Sequence, residues 1–132
     1  FDLQQNGMTQ SGPNVIYPYL DHPTEPVLVF CDQDTDSGGW TVIQTRFDGS
    51  EEFYRPWIEY SEGFGNVALE HYLGNDRISS LTGQQSVMEL RVDLEDWDSV
   101  TAYAQYKAFY GDAEWDNQLQ AIYNEGSAGN SF

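Results

Sequence analysis

The fold is decided by residues 88–110, whose sequence is MELRVDLEDWDSVTAYAQYKAFY. From Met88 to Glu95 apolar and charged side chains alternate strictly, which is the period-two pattern of a strand with one solvated face. The next four residues, DWDS, are typical of a turn, and a second strand is predicted over residues 100–110. The stretch therefore predicts an antiparallel β-hairpin. One face of its second strand is predicted to hold Ala102, Ala104, Tyr106 and Ala108.

Shorter elements on both sides of this hairpin complete an α+β pattern. Further strands are predicted over residues 14–19, 27–31, 40–47 and 119–123. The first two are joined by a proline-rich turn into a second hairpin. Short helices are predicted to begin at Pro56 and Asn75, because proline and asparagine favour helix starts. The predicted fold is a twisted antiparallel sheet with short helices.

The charge of the chain excludes two classes of partner. Its 132 residues carry 22 acidic and 5 basic side chains, a net charge of −17 with both histidines neutral. The bases are scattered, so the chain lacks the cation cluster that binds phosphate backbones, and an anionic membrane repels it. No apolar run approaches the ~20 residues that span a bilayer. We predict no nucleic-acid partner and no membrane insertion, which leaves cations, basic proteins and neutral sugars.

The chain has one cysteine, Cys31, at the end of a predicted buried strand. A lone cysteine cannot form a disulfide within the chain. It is therefore free, paired to another chain, or one half of a bridge whose other half lies outside the sequence. Buried cysteines at such positions are usually inert or bridged, so the sequence does not favour a nucleophilic thiol.

Three carboxylates at alternating positions follow this cysteine. Asp32, Asp34 and Asp36 match the first ligands of a calcium loop. The sixth and twelfth positions are Ser37 and Ile43 instead of glycine and glutamate, so an EF-hand is excluded. We favour an acidic hairpin turn, with the three aspartates as weak metal candidates.

Acidic pairs and aromatic side chains each have a functional and a structural interpretation. A glycosidase needs two carboxylates that flank one bond, but pairs arise by chance at this density of acids, so an acidic hydrolase is a weak hypothesis.

The aromatic residues offer either a sugar-stacking platform or core packing, and core packing is favoured for most of them. They are Trp40, Tyr54, Trp57, Tyr60, Phe64 and Tyr72.

A series of segments in order resembles the fibrinogen-related domain, the globular module of fibrinogen chains, ficolins, tenascins, angiopoietins and invertebrate lectins. The match covers nearly the whole chain, and the series is far more specific than any one segment. The segments are SG at 11–12, VIYP at 15–18, FCD at 30–32, TD at 35–36, GGWTVIQ at 38–44, Arg46, DGS at 48–50, FYRPW at 53–57, GFGN at 63–66, LGND at 73–76, ELRVDLEDW at 89–97 and GSAGN at 126–130.

The resemblance implies an incomplete domain over residues 1–132. It implies an N-terminal hairpin subdomain over 1–47 and the start of a central sheet subdomain over 48–132. In the family a cysteine near the domain start pairs with the one matching Cys31, and that partner falls just before Phe1. The calcium site, second disulfide and main ligand pocket of the family lie beyond Phe132, so no ligand-binding residue is carried over.

Within the family pattern two features of the central hairpin receive structural roles. The apolar face of residues 88–94 is expected to cover the core, and Trp97 is expected to pack at the hairpin turn.

The resemblance also implies a function. It implies a secreted, non-catalytic extracellular module for recognition or adhesion, which forms homo-oligomers through regions outside this chain. Its ligands would be acetylated sugars or extracellular proteins, in innate defence or in cell–matrix adhesion, and calcium is expected in the full domain. The alternative is a structural subunit of an extracellular fibre or coat whose acidic surface is bridged by cations.

Overall fold

The computed structural model describes residues 7–83, 87–112 and 118–130. The chain divides into two compact units, Phe1–Ile78 and Ser79–Phe132. The strands are β1 Gly12–Ile16, β2 Val27–Asp32, β3 Trp40–Val42, β4 Gln44–Thr45, β5 Phe64–Gly65, β6 His71–Tyr72, β7 Met88–Glu95, β8 Thr101–Asp112 and β9 Gln118–Gly126. The helices are α1 Trp57–Glu62 and α2 Asn75–Thr82. These antiparallel sheets and short helices confirm the predicted α+β class. The subdomain division after residue 47 stays a prediction.

The first unit begins with a sheet in the order β1-β2-β3. The predicted hairpin of β1 and β2 is confirmed, with Gly12 opposite Cys31. Its first strand lies earlier than predicted, since it ends at Ile16. Along β2 the side chains alternate between buried and more exposed positions, and Val27, Val29 and Cys31 are the buried ones. This row forms the core side of the sheet.

The single strand predicted over residues 40–47 is wrong, because the chain changes sheets at Ile43. β3 pairs with β2, whereas β4 pairs with β6 in a separate sheet of order β4-β6-β5. Between them the carbonyl of Ile43 accepts a hydrogen bond from the N–H of Leu73 at 2.8 Å. Two adjacent apolar residues, Val42 and Ile43, interrupt the alternation at this point, but periodicity alone does not indicate with which strand each segment pairs.

Gly63 and Gly74 allow close backbone contact in the first unit. Gly63 and Gly74 both have left-handed φ, at 92° and 108°. A Cβ on Gly63 would lie 2.3 Å from the carbonyl oxygen of Leu73, and one on Gly74 would lie 2.7 Å from backbone atoms of Glu62. Only glycine fits at these two positions without moving the backbone.

The second unit contains a sheet in the order β7-β8-β9. The predicted hairpin is confirmed: Leu94 lies opposite Ala102 and Leu90 opposite Tyr106. Beyond Tyr106 the register shifts, so Met88 lies opposite Phe109. The predicted face is therefore wrong at its last member, Ala108, which has a left-handed φ of 55° at the irregularity. A bulge inserts one extra residue into the strand. Phe109 therefore takes the position opposite Met88 that Ala108 would hold in an uninterrupted strand.

The apolar side chains of this hairpin are more exposed than the sequence predicts. The apolar face of β7 is only partly buried, and its last member, Leu94, is 55% exposed. Trp97, which was expected to pack, is 99% exposed.

Within the described ranges no helix is both long and apolar enough to cross a membrane.

Candidate functional site

The acidic loop after β2 is held by its own side chains. Oδ1 of Asp32 accepts the N–H groups of Asp34 at 2.9 Å and Thr35 at 3.0 Å, and the Ser11 hydroxyl donates to Oδ2 of Asp34 at 2.6 Å. Burial raises the pKa of Asp32, but the hydrogen bonds from Thr35 and Asp34 outweigh it and leave this pKa below its ordinary value. Asp36 stands in the left-handed region, with φ of 42°. These bonds build a tight turn.

Metal binding at this loop stays a prediction. Over residues 7–83, 87–112 and 118–130, no group of three His, Cys, Asp or Glu side chains has an arrangement that could hold a metal ion. The carboxylate of Asp32 already accepts two backbone N–H groups, so a cation would compete with the hydrogen bonds that form the turn.

The thiol of Cys31 is buried in the first sheet, and among the described residues it forms no disulfide. In register it lies between Gly12 and Thr41. Burial raises the pKa of Cys31, and a hydrogen bond with the Asn14 side chain offsets part of this effect. A thiol with a raised pKa is a weak nucleophile, which argues against a catalytic role. Its pairing with a cysteine before Phe1 stays a prediction.

Four half-buried aromatic rings form a cluster in the first unit. The ring centroids of Phe53 and Phe64 are 5.1 Å apart, as are those of Tyr60 and Phe64, and both pairs pack edge to face. The Tyr60 and Tyr72 centroids are 5.0 Å apart. The Tyr60 hydroxyl donates to the carbonyl of Phe53 at 2.7 Å. Core packing therefore describes these rings, in the geometry that aromatic pairs prefer.

Three apolar side chains from the same stretch face solvent, and we call them the aromatic platform: Tyr54, Trp57 and Ile58. Tyr54 is 96% exposed, Trp57 is 63% exposed and Ile58 is 59% exposed. Trp57 and Ile58 lie in the first turn of α1, which starts after Pro56 as predicted. The platform is a small exposed apolar surface carried by a helix start, the kind of feature that marks interaction sites.

Arg55 fixes the backbone that carries the platform. Its Nε donates to the carbonyl of Glu52 at 2.6 Å, and its guanidinium forms ion pairs with Glu51, at 2.5 Å, and with Glu59. The guanidinium carbon also lies 4.5 Å from the ring centroid of Phe64. Such a planar group can satisfy several acceptors while it stacks on a ring. The platform therefore stands on an ordered segment.

Glu70 holds the loop that precedes the platform, and nothing in its local sequence indicates this role. Its carboxylate is 2% exposed and accepts the N–H groups of Phe47, Asp48, Gly49 and Glu51 at 2.6 to 2.9 Å. Hydrogen bonds from Glu51 and Gly49 are the main causes that lower its pKa to about 2. The four donors lie 19 to 23 residues earlier in the chain, beyond the reach of any motif.

Comparison with known proteins identifies the family. The family model for the C-terminal globular domain of fibrinogen beta and gamma chains matches residues 1–132. The chain belongs to this family. The resemblance that the ordered segments indicated is thereby confirmed.

Two curated relatives of this fibrinogen-related domain are angiopoietins. Angiopoietin-4 of Mus musculus is 47% identical over 108 residues, which are 82% of this chain and 21% of that protein. Angiopoietin-1 of Homo sapiens is 43% identical over 129 residues, 97% of this chain and 25% of that protein. The chain thus spans about a quarter of the length of these relatives.

Two solved structures share the fold of this fibrinogen-related domain. The fibrinogen-like globe domain of human ANGPTL2 matches with a TM-score of 0.91 and 37% identity, over 99% of this chain and 60% of that one. The lamprey fibrin D-dimer, complexed with the peptide ligand Gly-His-Arg-Pro-amide, matches with a TM-score of 0.87 and 42% identity, over 98% of this chain and 41% of that one.

Proposed function

We propose that the chain is part of a secreted, non-catalytic extracellular recognition module, and that it binds protein ligands through the aromatic platform. The observation that carries the proposal is the exposure of Tyr54 and Trp57 beside Ile58. Aromatic side chains at protein surfaces supply a large share of binding energy where they enter a partner. The peptide complex of the lamprey relative supports protein recognition as the function of the fold.

The platform is suited to binding because it is ordered before a ligand arrives. Arg55 ties its backbone to the aromatic cluster, and Glu70 fixes the loop before it. Ordering a flexible surface on binding costs free energy, and a surface that is already ordered avoids that cost. Substitution of the exposed rings removes contact area without disturbing the cluster below, which makes the proposal testable.

The test selects ligands from a phage-displayed library of random 12-residue peptides. We expect peptides selected on the wild-type chain to bind the double variant Tyr54→Ser, Trp57→Ser at least about tenfold more weakly. Tyr17→Ser is the matched control, because Tyr17 is also exposed but lies outside the platform. If the selected peptides bind the double variant and the wild type equally, the platform is not the recognition surface.

A second candidate ligand is carbohydrate, as in a lectin of innate defence or adhesion. The same exposed rings support it, because aromatic faces pack on the apolar faces of sugars and on acetyl methyl groups. Retention on N-acetylglucosamine-agarose, lost in Trp57→Ser and kept in Tyr17→Ser, would favour this candidate over peptide binding. Equal retention of the wild type and both variants would show that the aromatic platform does not bind the sugar.

For the whole protein we propose calcium binding and homo-oligomer formation through regions outside this chain. The structural alternative, a fibre or coat bridged by cations, is supported only by the net charge of −17. It requires that EDTA reduce the particle size of the assembled protein. A size unchanged by EDTA would exclude it and leave the recognition module.

A further inference from the structure

The hairpin between β7 and β8 ends in a continuous exposed segment, which we call the hairpin tip: residues 93–101. Every residue of the tip is exposed. Trp97 at its end is almost completely in solvent. A tryptophan loses more by exposure than any other side chain of this segment, because its apolar surface is the largest.

The tip is an ordered turn. The N–H of Ser99 donates to the carbonyl of Asp96 at 3.1 Å, and the N–H of Asp96 donates to the carbonyl of Val100 at 3.1 Å. Oδ1 of Asp96 accepts the N–H groups of Asp98 and Val100, both at 2.9 Å. Four hydrogen bonds within five residues hold the backbone that presents Trp97, so binding there would cost little ordering entropy.

Exposed apolar residues flank the tryptophan along the chain, three positions away on each side. Leu94 lies opposite Ala102, and Val100 precedes Ala102 by two residues, so strand alternation places Leu94 and Val100 on the same face. Val100 is 63% exposed. Leu94 and Val100 thus make the open end of the apolar face of this sheet, and Trp97 lies in the turn between them. An exposed apolar group of this kind, on an ordered turn, is a docking surface for a partner.

The charge of the tip determines which partner fits. The tip carries four carboxylates, and no Lys or Arg occurs between Arg91 and Lys107. Arg91 is engaged on the sheet, with its Nε 2.9 Å from Asp93 and its guanidinium carbon 4.3 Å from the ring centroid of Tyr103. The four carboxylates of the tip are Asp93, Glu95, Asp96 and Asp98.

We propose that the hairpin tip docks a cationic polypeptide segment of a partner protein. A Lys or Arg side chain would lie over the Trp97 indole, and neighbouring cations would pair with the tip carboxylates. A second copy of this chain does not fit, because each copy carries −17. This inference rests on the proposed protein-recognition function, and it adds a second surface and the chemistry of the partner.

The test measures the affinity of a fluorescein-labelled nonapeptide of alternating Arg and Gly by fluorescence anisotropy. The matching peptide of alternating Glu and Gly is the negative probe. We expect the basic peptide alone to bind, and Trp97→Ala to weaken it about tenfold at both 20 and 150 mM salt. The double variant Glu95→Gln, Asp98→Asn should weaken it several-fold at low salt, with a smaller loss at high salt.

Matched controls separate the tip from the general negative charge of the chain. Asp21→Asn with Glu125→Gln removes two exposed carboxylates elsewhere, and Tyr17→Ala removes an exposed aromatic ring that lies outside both the platform and the tip. The inference is overturned if either control weakens the basic peptide as much as its tip counterpart, or if Trp97→Ala binds it like the wild type. Amide exchange in β7 and β8 should stay unchanged in Trp97→Ala, which confirms folding.

The two proposals fail separately. If tip variants bind the basic peptide like the wild type while platform variants lose the phage-selected peptides, only the role of the tip is wrong. If platform variants keep those peptides while tip variants lose the basic one, the platform assignment is wrong and the tip stands.

Discussion

Glu70 and Asp96 perform the same task in two regions of the molecule, and they do so in opposite ways. Glu70 is buried, and its carboxylate accepts four backbone N–H groups from a loop about twenty residues earlier. Asp96 is exposed, and its carboxylate accepts N–H groups two and four residues later. The first loop therefore depends on the folding of its whole unit, whereas the hairpin turn is built by the residues within it.

The largest effect is expected from Glu70→Gln. The amide has one acceptor oxygen and a donor NH₂ group, so it cannot receive the four N–H groups that the carboxylate receives. We expect amide exchange over residues 47–51 to accelerate roughly 100-fold, measured by mass spectrometry. Glu25→Gln, in an exposed turn, is the control and should leave this exchange unchanged. Equal protection in Glu70→Gln and the wild type would contradict the role of the carboxylate.

The same loop should open in acid. The folded pKa of Glu70, about 2, lies below its ordinary value of 4.5. A lowered folded pKa means that the carboxylate contributes stability above about pH 4.5 and loses it as the pH falls from there towards 2. Pulsed exchange of residues 47–51, corrected for intrinsic rates, should show increasing opening across this window. In Glu70→Gln the pH dependence in this window should be much weaker, and an equal dependence would assign it to other groups.

A smaller and strictly local effect is expected from Asp96→Ala. Loss of the Oδ1 acceptor should accelerate exchange at the amides of Asp98 and Val100 about tenfold, with no change in β9. Asp96→Asn keeps a side-chain oxygen and should retain most of the protection. NMR exchange rates test both variants. Loss of protection throughout β8 would show that this turn supports the sheet and is not an independent local structure.

The smallest effect is expected from Arg55→Lys, whose ion-pair partners are near in sequence and partly exposed. Lysine keeps the charge but loses the planar contact with Phe64 and the fork that reaches Glu51 and Glu59. Ion pairs that water still reaches contribute little, so exchange over residues 53–58 should rise by less than about fivefold. A larger increase would mean that the platform depends on Arg55 as strongly as the loop depends on Glu70.

The same contrast explains what could be predicted from the sequence. The turn at residues 96–99 follows from its own residues and from the alternation of the flanking strands. The family was predictable because many local segments recur in order. The role of Glu70, the change of sheet at Ile43 and the bulge at Ala108 depend on partners far along the chain or across the sheet. Periodicity does not encode such partners.

Exposure was the hardest property to predict. The six aromatic residues between positions 53 and 72 divide between a packed cluster and the solvent-facing Tyr54 and Trp57, although all lie in one short stretch or on neighbouring strands. Trp97 follows an apolar strand face and yet stands in solvent. Side-chain identity indicates a preference for burial, but the position of the backbone decides whether a partner is there.

Gly63 and Gly74, which permit close backbone contact, have a consequence for engineering. Gly63 and Gly74 lie in the GFGN and LGND segments, and each excludes every side chain on steric grounds. A motif made of such positions specifies the course of the backbone and does not specify which ligand is bound. A combinatorial library could therefore randomise the platform and the hairpin tip while both glycines are kept, and selection would then explore binding on an unchanged backbone.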